Sequence, residues 1–111
     1  MTRQYLSSIL SSMNFGDIIR NTRLTRQETL HQLSMGTDID VTLLSKFERN
    51  VRFPTNEQLE RISKYLQISE LELKAIVISN KIVKEYGIND TTHKAIQMVS
   101  EQLAPYKKRM S

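Results

Sequence analysis

Residues 29–55, TLHQLSMGTDIDVTLLSKFERNVRFPT, decide how the rest of the chain is read. Thr29 with Gln32 three places on has capping-box spacing, in which the hydroxyl closes a first-turn amide and the amide side chain reaches back, so a helix begins at Leu30. It is short, because Gly36, Thr37 and Asp38 follow at once and glycine is a poor helix interior residue but a good helix end. Asp40 caps a second helix whose apolar positions are Leu43, Leu44 and Phe47. Leu44 and Phe47 share one face. Val41, Thr42, Ser45, Lys46 and Arg49 occupy the remainder, and this mixture of small, hydroxylated and cationic side chains is the surface a DNA major groove accepts.

Beyond the second helix, Val51–Arg52–Phe53–Pro54 is a loop, since Pro54 disfavours helix at Phe53. Thr55 caps a helix starting at Asn56, with Leu59, Ile62, Ser63 and Leu66 as its core stripe and Glu57, Glu60, Arg61 and Lys64 opposite. Ser69 with Glu72 repeats the capping-box spacing and starts the next helix near Glu70. Its apolar residues, Leu71, Leu73, Ala75 to Ile78, Ile82, Val83 and Tyr86, exceed a single stripe, so it has two sides to bury. Gly87 stops it, Asn89 and Asp90 make the turn, and Asp90 or Thr91 caps a last helix whose apolar face is Ala95, Ile96, Val99 and Leu103. Pro105 ends that helix at about Ala104, which leaves residues 105–111 as a basic tail.

Upstream, Asn14 to about Arg26 reads as a first helix, capped by Asn14, with Phe15, Ile18, Ile19 and Thr22 on one side. Residues 1–13, MTRQYLSSILSSM, space Tyr5, Leu6, Ile9 and Leu10 as an amphipathic turn or two, or as an arm. No repeat, low-complexity tract or Gly/Ser linker interrupts the sequence. The expected architecture is all-α: five helices extended by a C-terminal one, in a single compact body from Asn14 to Ala104.

The joint pattern resembles the helix-turn-helix of the lambda-repressor/Cro-like family. The residues that carry it are Leu33-Ser34, Ile39, Leu44-Ser45-Lys46-Phe47-Glu48-Arg49-Asn50 and Pro54-Thr55, preceded by Phe15-Gly16, Ile18, Ile19 and Arg23 on the first helix. The likeness covers about Asn14 to Leu73. Asn50 stands where a glycine is usual, and asparagine also tolerates the left-handed conformation. Leu30 replaces a glutamine that often contacts phosphate, and Glu28 stands where an apolar residue is common. More loosely, the DIDVTLLSKFERN run and the extra C-terminal helices resemble small regulators found beside restriction-modification genes.

The resemblance implies a DNA-binding domain over residues 14–73, an extension over 74–104 that serves dimerisation, and double-stranded DNA as partner. The family's base-reading positions fall on Val41, Thr42 and Lys46. Lys46 can donate to guanine and the two others can pack against a thymine methyl. Backbone contacts are expected from Thr29, Ser45, Arg49, Arg52, Thr55 and Asn56, since helix N-termini attract phosphates. The family also implies a structural salt bridge between Arg23 and Glu48. A dimer through Ile78, Ile82, Val83, Ile96 and Val99 would read a pseudo-palindromic operator with half-sites roughly 34 Å apart. An antitoxin, or a protein-interaction module that keeps the fold without DNA binding, is the alternative function.

Composition narrows the field. The 111 residues carry a net charge of +4, no cysteine and two histidines. That favours a polyanionic partner and leaves no cysteine-based zinc finger, disulfide framework or metal site. There is no glycine-rich phosphate loop and no credible nucleophile-base pair, so neither enzymatic activity nor a cofactor or small-molecule ligand is expected. Without a signal-peptide pattern or a membrane-length apolar run, a cytoplasmic, nucleoid-associated protein is expected.

Overall fold

The computed structural model describes the backbone of residues 14–110 and the side chains of residues 14–106; the arm expected over residues 1–13 lies outside the described residues. Within them the chain is all-helical: α1 (Phe15–Thr25), α2 (Leu30–Thr37), α3 (Val41–Glu48), α4 (Asn56–Leu66), α5 (Glu70–Tyr86) and α6 (Asp90–Met110). The single body expected from Asn14 to Ala104 is not what forms: two compact units result, Met1–Asn80 and Lys81–Ser111, with the boundary inside α5, because the core draws on α5 only as far as Val77.

In the first unit, short-range hydrogen bonds start the helices. The α2 box is complete, with Gln32 N donating to Thr29 Oγ1 at 3.1 Å and Thr29 N donating to Gln32 Oε1 at 2.8 Å. Thr55 and Gln58 build a second complete box at α4, and Asp40 Oδ1 accepts from Thr42 N at 2.8 Å at the start of α3. Ser69 Oγ accepts from Glu72 N at α5. The exits are equally regular. After each of α1 to α4 one residue turns left-handed, namely Gln27, Asp38, Asn50 and Gln67, with φ between 56° and 60°. None of these is glycine, so each carries a modest steric penalty that the helix-closing hydrogen bonds offset.

Apolar stripes from five helices meet in one core of Phe15, Ile18, Ile19, Leu33, Ile39, Leu44, Phe47, Leu59, Ile62, Leu66, Leu73, Ile76 and Val77. The inner faces expected for α3 and α4 are therefore the buried ones. Helix α3 packs on α1 and α2, and α2 packs on α4. On α5, Leu73, Ile76 and Val77 are buried while Leu71 and Ile78 stay 78% and 58% exposed, so only one of its two apolar sides is covered within the first unit.

Several local expectations are corrected. Asn14 occupies the N-cap position of α1 but its side chain caps nothing. The first amides are taken instead from a distance: Phe15 N donates to Asn80 Oδ1 at 2.7 Å and Gly16 N to Asn50 Oδ1 at 2.9 Å. Gly36 lies inside α2 rather than ending it, and what its missing side chain supplies is room for the Tyr65 ring, which occupies the space a Cβ would need; Asp38 makes the left-handed exit.

In the second unit, Gly87 ends α5 at φ 83°. Asn89, rather than Asp90 or Thr91, caps α6, with Oδ1 accepting from Thr92 N at 2.8 Å while Nδ2 donates to Tyr86 O. Pro105 does not end α6, which continues to Met110. The bond that proline withdraws belongs to the Glu101 carbonyl, and both residues are exposed, so water can take it. The basic residues 107–109 are thus the end of a helix and not an irregular tail.

Candidate nucleic-acid interface

Helix α3 is held from behind. Leu44 and Phe47 are fully buried, and Phe47 meets Phe15 of α1 edge-on at 6.3 Å between ring centroids. Glu48 turns inward as well and takes a bidentate pair from Arg23: Nε to Oε2 at 2.8 Å and Nη2 to Oε1 at 2.9 Å. Arg23 Nη1 also donates to Glu28 O at 2.8 Å, so one guanidinium ties the last turn of α3 to the α1–α2 turn. The carboxylate raises the Arg23 pKa above its ordinary value against the opposing effect of burial.

With the inner side occupied, the outer side carries the residues singled out for base contact. Val41 is 37% exposed, Thr42 is exposed, and Lys46 is half-buried. Ser45 is half-buried and Arg49 exposed at the helix exit, with Arg52 exposed in the following loop. Thr29, Thr55 and Asn56 are exposed at the N-termini of α2 and α4. Each capping box uses the third amide of its helix, and helix geometry leaves the first two, at residues 30–31 and 56–57, without an intrahelical acceptor. Such amides suit an anion. At α4 the neighbouring Glu57 carboxylate would compete for them, but it is paired with Arg61 Nη2 at 2.6 Å.

A cluster beside α2 has no signature in local sequence spacing. The Tyr65 hydroxyl donates to Glu28 Oε2 at 2.8 Å, and the Arg26 guanidinium lies 5.0 Å from the Tyr65 ring centroid and donates to Glu28 Oε1 at 3.1 Å. The phenol hydrogen bond holds the Glu28 carboxyl below its ordinary pKa, with Arg26 adding to the effect. The same bond is the main cause raising the Tyr65 pKa. Glu28 thus anchors the turn by polar contacts where an apolar residue would anchor it by packing. Tyr65, half-buried on a polar stretch of α4, was the available hint.

The five residues expected at a dimer contact do not share one unit. Ile78, exposed, belongs to the first. Ile82, half-buried, with Ile96 and Val99, lines an apolar groove of about 480 Å³ in the second, where Val83 is exposed. No cluster of three or more His, Cys, Asp or Glu side chains able to hold a metal occurs among the described residues. Nor is any described helix long and apolar enough to cross a membrane. Comparison of the chain with protein-family models, curated proteins and solved structures returned no match to any of them.

Proposed function

We propose that the chain is a sequence-specific, double-stranded-DNA-binding transcriptional regulator, most plainly a repressor or autoregulator, of the lambda-repressor/Cro-like helix-turn-helix type. The observation that carries this is the division of α3: Leu44, Phe47 and Glu48 are buried, Val41 and Thr42 are exposed beside Lys46, and Arg49 is exposed at the exit. An element fixed on one side and lined on the other by a cation, a hydroxyl and a methyl-rich side chain can enter a major groove and read base edges. In this reading α2 and α4 approach phosphates with their first amides, and Arg49 and Arg52 supply the salt-sensitive part of the affinity.

One reading helix covers few base pairs, so the reading includes a homodimer on a pseudo-palindromic site. Exposed Ile78 and Val83 and the groove lined by Ile82, Ile96 and Val99 support a second copy as the cover. The same apolar residues equally favour a second reading, a protein-interaction module on this scaffold.

Selection of duplexes from a random pool separates the two. The regulator enriches a two-fold-related sequence, and its affinity falls steeply with salt. Lys46→Ala then costs about 1–3 kcal/mol on the enriched duplex and relaxes choice at one base pair. Equal losses on enriched and random DNA make Lys46 a phosphate contact, and enrichment of nothing refutes the regulator.

A further inference from the structure

A helix that reads base edges has to be held at its C-terminal end as well as along its inner face. Here that end meets the start of α1. A Cβ on Gly16 would meet Phe47 O, Glu48 O and Asn50 Oδ1, so the first turn of α1 lies closer to the last carbonyls of α3 than any side-chain-bearing residue would allow. The amide end of one helix faces the carbonyl end of the other, a favourable arrangement of partial charges.

Asn50 sits in this junction at φ 60°. Glycine takes that conformation at no steric cost, so what asparagine adds is its side-chain acceptor, which receives Gly16 N at 2.9 Å. The left-handed turn at Asn50 also brings Val51 N back onto Lys46 O at 3.0 Å. The residue most suited to read guanine therefore shares a peptide unit with the bond that closes the helix exit. The side chain of Asn50 thus ties this exit to α1, while the Arg23–Glu48 pair and the Phe15–Phe47 contact hold the inner face.

We infer that Asn50 is a positioning residue for DNA reading, fixing the exit of α3, and with it Lys46, against the α1 N-terminus. This rests on the DNA-binding reading above. The test uses the full chain and compares Asn50→Gly, which keeps the turn and deletes the acceptor, with Asn50→Asp, which keeps both. Two quantities are measured: affinity for the enriched duplex against a scrambled one, and hydrogen exchange of the Gly16 amide by NMR. Asn50→Gly should lose about tenfold on the enriched duplex and less than about twofold on the scrambled one. Its Gly16 amide should exchange faster, and Asn50→Asp should keep the wild-type Gly16 protection and the wild-type ratio between the two duplexes, its added charge lowering affinity for both alike. An unchanged duplex ratio in Asn50→Gly overturns the inference, as does an Asn50→Asp variant that protects Gly16 yet loses discrimination. If the wild type enriches no sequence, the DNA reading falls and the reading role of Asn50 with it; fast Gly16 exchange confined to Asn50→Gly would still establish the anchoring of α3.

Discussion

Replacing Glu48 by alanine strips the Arg23 guanidinium of two of its three hydrogen bonds and of its counter-charge in one step. The side chains of the pair are 12% and 5% exposed, so water cannot take over fully. Breaking a buried pair from one side costs about 3–5 kcal/mol. Arg23 keeps the Glu28 carbonyl and some solvent, which puts the expected loss near the lower end, about 3 kcal/mol. For a domain of this size that corresponds to a fall in melting temperature of roughly 12–24 °C. Urea unfolding at neutral pH is the assay, and the midpoint should drop with the slope unchanged. Removing both charges, in Arg23→Met with Glu48→Ala, should be less destabilising than Glu48→Ala alone, because no uncompensated ion is left inside. If Glu48→Ala melts within about 0.5 kcal/mol of wild type, or if the double variant shows the plain sum of the singles, the pair is not coupled and the reasoning fails.

Gly36→Ala gains helix propensity but drives a methyl into the Tyr65 ring, so it should destabilise by about 1–3 kcal/mol, whereas in a Tyr65→Ala background the same change should stabilise by up to about 1 kcal/mol. Thermal melts of the four proteins check the reversal of sign. Tyr65→Phe removes the bond that lowers the Glu28 pKa and raises that of Tyr65. Its deficit relative to wild type should be constant through neutral pH. It should shrink as pH falls below the ordinary glutamate value of about 4.3, and again as pH rises past the ordinary tyrosine value of about 10. A deficit independent of pH in urea titrations would detach the bond from either ionisation. A chain ending at Asn80 retains the whole core and should fold, yet sediment as a monomer where the full chain sediments as a dimer; identical sedimentation of the two would remove residues 81–111 from assembly.

What could be read from the residues was governed by how far each hydrogen bond reaches. The caps at Thr29, Asp40 and Thr55 join groups two or three positions apart, so spacing alone reveals them, and the inward set on α3 and α4 follows from a repeat of the same scale. The cap at α1 is hidden from the sequence for the opposite reason. Asn14 has the right residue type in the right place, but its task is performed by Asn50 and Asn80, which no local pattern connects to it. Gly36 looked like punctuation because a glycine that ends a helix and one that makes room for a distant ring are identical in sequence. Pro105 marks a weak point and not a stop, since a proline removes one helical hydrogen bond and crowds one carbonyl, which a helix of 21 residues can absorb. At the candidate interface, which side chains of α3 face outward was legible from periodicity; the Glu28–Arg26–Tyr65 cluster was not, because it gathers residues 37 apart.

The distant capping of α1 also bears on the order in which the molecule assembles. The acceptors for its first two amides lie 65 and 34 residues further along the chain. A polypeptide emerging from the ribosome therefore exposes α1 before either acceptor has left the exit tunnel, and short helices without caps are marginal in water. Its N-terminal turn should be among the last parts to become protected, forming when α5 docks, and substitutions at Asn80 should accelerate unfolding more than they retard folding. The local boxes of α2 and α4 need no such wait. The early structure should then be the α2–α4 segment, with the first turn of α1 protected only after residue 80 has left the exit tunnel.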